Sequence, residues 1–184
     1  MQLLPPHAGA LAIAVVVLLN GCSSMRITSD YDPQTNFADL HSFDWLSREQ
    51  KPTGDPRVDN SLIDTRIRRA VEAQLDSNGF QKRDRKKPDF LVTYHAFLDT
   101  KLDFSRTSER SRYGGRERGG HVYVRQYEQG TLMLDVLHPT TKDLMWRGMA
   151  EAVVNPYSTP EKSEKKIREA VRRILERFPP KQIQ

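Results

Sequence analysis

Gly130-Thr-Leu-Met-Leu-Asp-Val-Leu137, then Pro139-Thr-Thr-Lys-Asp143, then Leu144 to Val154: this stretch reads as a β-hairpin. Two runs rich in apolar and β-branched residues flank a polar segment whose Pro and Asp are turn formers. Within the first arm Asp135 falls between Leu134 and Val136, on the face of Met133 and Leu137. A carboxylate there calls for a partner, and Arg147 on the opposite arm is the plain candidate. An antiparallel pair therefore anchors the C-terminal half, and its apolar face needs a cover.

Two helices supply the cover. Leu62, Ile63, Ile67, Ala70, Val71 and Leu75 recur at helical spacing with charged residues between them. Asp59, Asn60 or Ser61 suits the cap of that helix, and Gly79 stands where a helix ends. A second helix opens at Thr159-Pro160, carries Ile167, Ala170, Val171, Ile174, Leu175 and Phe178 on one face, and stops at Pro179-Pro180. Each stripe is one-sided, as a two-layer packing requires.

Other segments add strands. Arg26–Tyr31 leads into a turn at Asp30-Tyr31-Asp32-Pro33, and Ser42–Leu46 alternates polar with apolar. Asp89–Leu98 is β-branched and aromatic with apolar residues on both faces, which predicts a central strand. Val122–Val124 is a further short strand, and residues 48–57 and 105–120 are polar loops. No internal repeat is present. Strands and helices are segregated along the chain, so the expected class is α+β: an antiparallel sheet of about five strands with two helices packed on one face.

Composition narrows the class. The chain has 184 residues, 29 Lys+Arg against 24 Asp+Glu and a net charge of +5. Its length fits one domain. A hydrophobic share of 37% with a mean hydropathy of -0.67 excludes a polytopic membrane protein. Seven Phe, six Tyr and two Trp are enough for a real core and argue against wholesale disorder. The single cysteine excludes an internal disulfide and a cysteine-based zinc site.

That cysteine has a telling position. Ala8–Leu19 is an apolar run of twelve residues, too short to span a bilayer but right for the core of a secretion signal. It ends in Leu19-Asn20-Gly21-Cys22, which resembles a bacterial lipobox, although no Lys or Arg precedes the run. The expected division is a signal peptide over 1–21, a lipidated tether over 22–29 and one α+β domain over 30–184. Acyl chains on Cys22 would anchor the protein in membrane lipid. Ser23, rather than Asp, favours the outer membrane by resemblance to the sorting rule of enteric bacteria.

Several motifs in order are similar to one family, the bacterial lipoproteins called domain of unknown function 4136. They are Asp30-Tyr31-Asp32-Pro33 with Asn36-Phe37 and Trp45; Pro88-Asp89-Phe90-Leu91-Val92-Thr93-Tyr94; Gly130-Thr131-Leu132; Trp146-Arg147-Gly148; and Phe178-Pro179-Pro180. The resemblance spans nearly the whole mature chain. It implies an envelope lipoprotein with an α+β domain and implies no activity. Where relatives look rich in glycine and tyrosine before the Gly-Thr-Leu strand, this chain is rich in arginine.

Chemical motifs are sparse. His7 lies in the leader, and His41, His95, His121 and His138 show no metal-ligand spacing, so no metal and no cofactor are expected. Gly-x-Ser-x-Gly and phosphate-binding glycine loops are absent. Ser163-Glu164-Lys165-Lys166 matches Ser-x-x-Lys, but on the exposed face of the last helix and without companion motifs. His95 is expected in the core. Arg106, Arg110, Arg112, Arg116 and Arg118 form a candidate contact for anions, among them lipopolysaccharide phosphates, peptidoglycan carboxylates or an acidic patch of an envelope protein. Nucleic acid is not an expected partner, and no oligomeric state is implied. The leading expectation is a non-catalytic lipoprotein of the outer membrane that binds an envelope component. The alternatives are a small-ligand or lipid carrier and, third, a hydrolase using His95 and Asp135.

Overall fold

A computed structural model describes residues 25–47, 52–83, 87–107, 121–155 and 157–181. In chain order the elements are β1 (Arg26–Tyr31), β2 (Ser42–Trp45), α1 (Ser61–Ser77), β3 (Gln81–Lys82), β4 (Phe90–Thr107), β5 (His121–Leu137), β6 (Leu144–Val154) and α2 (Pro160–Leu175). The six strands form one sheet in the order β1-β6-β5-β4-β2-β3. The class is α+β as expected, with β4 inside the sheet.

Local chemistry sets the helix ends. The Asn60 side chain accepts from the Ile63 N–H and starts α1, whose C-terminus turns at Gly79 with φ of +93°. That left-handed conformation is what glycine accommodates without cost. Thr159 caps α2 through the Lys162 N–H, with Pro160 in its first turn.

The sheet is mixed rather than purely antiparallel. β2 runs parallel to β4 and to β3, while the β1/β6, β6/β5 and β5/β4 pairs are antiparallel. A parallel pair needs a long crossover, and α1 provides it between β2 and β3. Asp89 fixes the start of the β2/β4 register: its Oδ2 accepts from the backbone N–H of His41 (3.0 Å) and Ser42 (2.8 Å) and from Ser42 Oγ (2.7 Å). Those bonds hold the Asp89 carboxyl below its ordinary range, Ser42 Oγ contributing most.

Three boundaries differ from the expected ones. β3 was not expected; at two exposed residues it carries no pattern to read. β4 continues to Thr107, paired with His121, and the strand expected at 122–124 is one with β5. The long hairpin outruns β6, which ends at Val154 opposite Glu128, so its far part is a two-stranded ribbon. β1 is the strand expected over Arg26–Tyr31, and it shares Arg26–Ser29 with the segment expected as tether.

Both helices cover one face of the sheet. That face carries Phe90, Val92 and Tyr94 from β4, Leu132, Leu134 and Val136 from β5, and Trp146, Ala150 and Ala152 from β6, all buried. Ile67, Val71 and Leu75 of α1 and Val171, Ile174 and Leu175 of α2 pack against them. Each large aliphatic side chain so buried contributes about 1.5–3 kcal/mol. Phe178, just past α2, lies with ring centroids 5.1–5.5 Å from Trp146, Phe80 and Phe90. At the edge, Tyr94 Oη donates to Asp64 Oδ1 (2.8 Å), and Arg68 pairs with Asp64 (2.8 Å) and lies 4.4 Å over the Trp45 ring. Burial and the Asp64 charge push the Tyr94 hydroxyl up. Among the described residues the core runs from Met25 to Phe178.

Candidate functional site

The helix layer is filled at one end and hollow at the other. Between the N-terminal halves of α1 and α2 and the sheet lies a half-open cavity of about 290 Å³. Its floor is made of small residues: Ala96 on β4, Gly130 on β5, and Ala150 and Ala152 on β6. Ile63 and Ile67 of α1 and Ile167 and Ala170 of α2 form its walls, with Met25 at the start of β1. The register explains the floor, because Gly130 faces Leu98 on one side and Ala152 on the other, and Leu132 faces Ala96 and Ala150. Small side chains in adjacent positions on three strands leave a trough that the helices bridge without filling.

Polar groups gather on its rim. Arg57 Nη1 pairs with Glu128 Oε2 (2.7 Å) and Arg57 Nη2 with Asp55 Oδ2 (2.7 Å), and both carboxylates raise the guanidinium pKa, Asp55 more. Lys166 enters from α2, and its ammonium donates to the Val153 carbonyl. Burial alone pulls the Lys166 pKa down. Among the described residues no carboxylate pairs with it.

The Ser-x-x-Lys match therefore sits elsewhere than expected. Ser163 and Lys166 both line the cavity instead of facing solvent. One helical turn brings i and i+3 to the same side. No hydrogen bond joins the two among the described residues; the Ser163 N–H donates to Thr159 O in the ordinary helical way.

The other face of the sheet carries Asp135, Arg147 and His95. Arg147 Nε and Nη2 donate to the two oxygens of Asp135 at 2.6 and 2.7 Å, a bidentate fork across β5 and β6. That pair raises the Arg147 pKa. His95 is not in the core: its ring is 38% exposed, stacks on Phe97, and has Nε2 3.7 Å from Asp135 Oδ2, too far for a hydrogen bond. Alternation explains the error, since Tyr94 and Ala96 point to the helices and His95 between them must point away. Asp135 is taken up by Arg147, which straps β5 to β6, and His95 stands beside that pair without a hydrogen bond to it.

Cys22, Arg110, Arg112, Arg116 and Arg118 lie outside the described residues; of Arg106 only the backbone is described, in β4 opposite Val122. No metal-binding cluster of His, Cys, Asp and Glu is present among the described residues, and no described helix is long and apolar enough to cross a membrane.

The motifs named from the sequence each find a place in this arrangement. Trp146 fills the core, Arg147 straps Asp135, and Gly148 leaves room for Trp146, whose Cη2 would lie 2.3 Å from a Cβ there. Phe178 closes the aromatic cluster, and Gly130 lies in the cavity floor. The family described as Domain of unknown function (DUF4136) matches residues 27–180. The chain belongs to that family.

No curated protein matches the sequence. Among solved structures, this DUF4136 domain resembles a PDZ domain protein from Parabacteroides distasonis ATCC 8503 with a TM-score of 0.54 and 13% identity, over 85% of this chain. The chain spans 36% of that protein's length, so the likeness is one of fold. A PelC dodecamer from Paraburkholderia phytofirmans also matches, with a TM-score of 0.41 and 8% identity, over 82% of this chain and 94% of that one.

The cavity residues were missed by sequence reasoning. Ala96, Ala150, Ala152 and Ala170 occupy inward positions and pass for ordinary core. The one available signal is that small residues recur on neighbouring strands at the same level, and it becomes visible only with the register in hand.

Proposed function

We propose that this DUF4136 chain is an outer-membrane lipoprotein, anchored through acylated Cys22, whose periplasm-facing domain is a non-catalytic binding module for a small apolar envelope component. The half-open cavity floored by Ala96, Gly130, Ala150 and Ala152 carries this reading. Its volume lies just under the roughly 300–1,000 Å³ of ordinary ligand pockets, which suits a small ligand, and mostly apolar walls with a few polar groups at the rim suit an apolar one. The arginines at 106, 110, 112, 116 and 118 remain a second contact, for an acidic partner, lipopolysaccharide or peptidoglycan.

The test uses the mature chain, residues 22–184 with Cys22→Ser, and the neutral fluorescent probe N-phenylnaphthylamine. Saturable enhancement that disappears in Ala150→Phe, with circular dichroism unchanged, supports the reading. Equal enhancement in both proteins removes the cavity as the site. Turnover of p-nitrophenyl decanoate that is lost in Ser163→Ala would overturn the non-catalytic part. For the anchor, intact mass and membrane fractionation of wild type against Cys22→Ala decide: acyl mass and outer-membrane sedimentation are expected of the wild type alone.

A further inference from the structure

The cavity lining is mostly apolar, yet one cation on its wall has no carboxylate partner among the described residues. Lys166 reaches it from the second turn of α2, with its stem among Ile167 and Ala170 and its ammonium near the exit of β6 at Val153. An ammonium has three donors and no acceptor, and one donor is used on Val153 O. The other cation at the rim, Arg57, is shared by Asp55 and Glu128, a cluster of net charge −1 whose carboxylates bond to that guanidinium and not to Lys166 among the described residues. Ser163 adds a neutral hydroxyl beside Lys166. A half-buried cation bears its desolvation without a counter-ion, and an anion is the group that would offset it.

Volume limits the body that such an anion can carry. At about 30 Å³ for a group the size of a water molecule, the cavity holds roughly ten such groups. A sugar or peptide would leave its hydrogen-bonding groups unsatisfied against alanines and isoleucines. An unbranched hydrocarbon chain would not.

We infer that the cavity binds a single-chain anionic amphiphile, with its carboxylate or phosphate head on Lys166 and Ser163 and its tail lying over Ala96, Gly130, Ala150 and Ala152. This deepens the proposed function and rests on it. Lys166 is then the residue that selects the head group, and the alanine floor selects chain width. The lowered pKa of Lys166 fits a cation with no counter-ion beside it, and a bound anion would raise it again.

The experiment is competition for N-phenylnaphthylamine on the mature chain with Cys22→Ser, using decanoate, decyl phosphate, decanol and decyltrimethylammonium at one ionic strength and at pH 8. In the otherwise unaltered protein decanoate or decyl phosphate should displace the probe about tenfold more strongly than decanol, the size of one charge-assisted hydrogen bond, and the cationic analogue least of all. Lys166→Met should bring the anions down to the level of decanol while decanol and the probe bind as before. Lys166→Arg should restore the preference, which also separates loss of charge from loss of fold. Preference for only one anion names the source of the head group, fatty acid or phosphate ester. Equal competition by anion and alcohol, or an anion preference that survives Lys166→Met, overturns this inference and leaves the apolar site intact. Absence of any probe binding overturns both.

Discussion

Two positions on β6, Gly148 and Ala150, face the same helices from the same strand and differ in everything around them. A Cβ on Gly148 would lie 2.3 Å from Trp146 Cη2 and 2.5 Å from Ile174 Cγ2. The Ala150 methyl looks into the cavity. One end of the layer is closed by Trp146, Phe90, Phe80 and Phe178; the other, under the same two helices, is floored with alanine. Protein interiors are ordinarily filled to crystal density, so a hollow this large beside a packed cluster marks a division of labour. The filled end holds the fold, and the hollow end is free to take something else.

The largest blow to that comparison should come from the filled end. Trp146→Ala opens a void in the aromatic cluster and is expected to cost about 3–5 kcal/mol in urea unfolding; a loss below about 1 kcal/mol would mean the cluster is not the keystone. Gly148→Ala should cost about 1–3 kcal/mol through overpacking against Trp146 and Ile174. At pH 7 Asp89→Asn should cost about 1 kcal/mol, because a charged acceptor of three hydrogen bonds becomes neutral. The Asp89 carboxyl is held below its ordinary 3.8, so its stabilisation is full above that pH and is lost as pH falls through the folded value. Wild type and Asp89→Asn should therefore converge in stability as pH falls through the folded value. Smallest, and opposite in sign, Ala150→Val should stabilise by about 0.5–1 kcal/mol by entering empty space. If Ala150→Val destabilised as Gly148→Ala does, the two ends would not differ and the cavity would be no cavity.

The same contrast shows what can be read without the register. Both helices were legible because stripe, cap and terminator agree along a single segment, and the 130–154 hairpin because its turn chemistry is local. The direction of β2 was not, since alternation in Ser42–Trp45 says strand without saying parallel or antiparallel; that information resides in Asp89, 47 residues from Ser42. The outer ribbon was not either, because Asp99–Asp103 lies exposed and so shows no pattern. The filled end announces itself through large residues. The hollow end is written in alanines and one glycine on three separate strands, each ordinary alone, and in Ser163 and Lys166, whose spacing suited an exposed helix face equally well.

Met25 is part of the cavity wall, and Cys22 stands three residues before it. Fully stretched, three residues reach about 11 Å. A lipid on Cys22 would therefore act as a very short leash, holding the wall of the cavity within about that distance of the membrane surface. A molecule leaving that leaflet would meet the domain before it met bulk water, so exchange would be a local hop between two adjacent phases, with a rate governed by leash length. Lengthening the leash with a glycine-serine insert between Cys22 and Met25 would turn that hop into a search through solution.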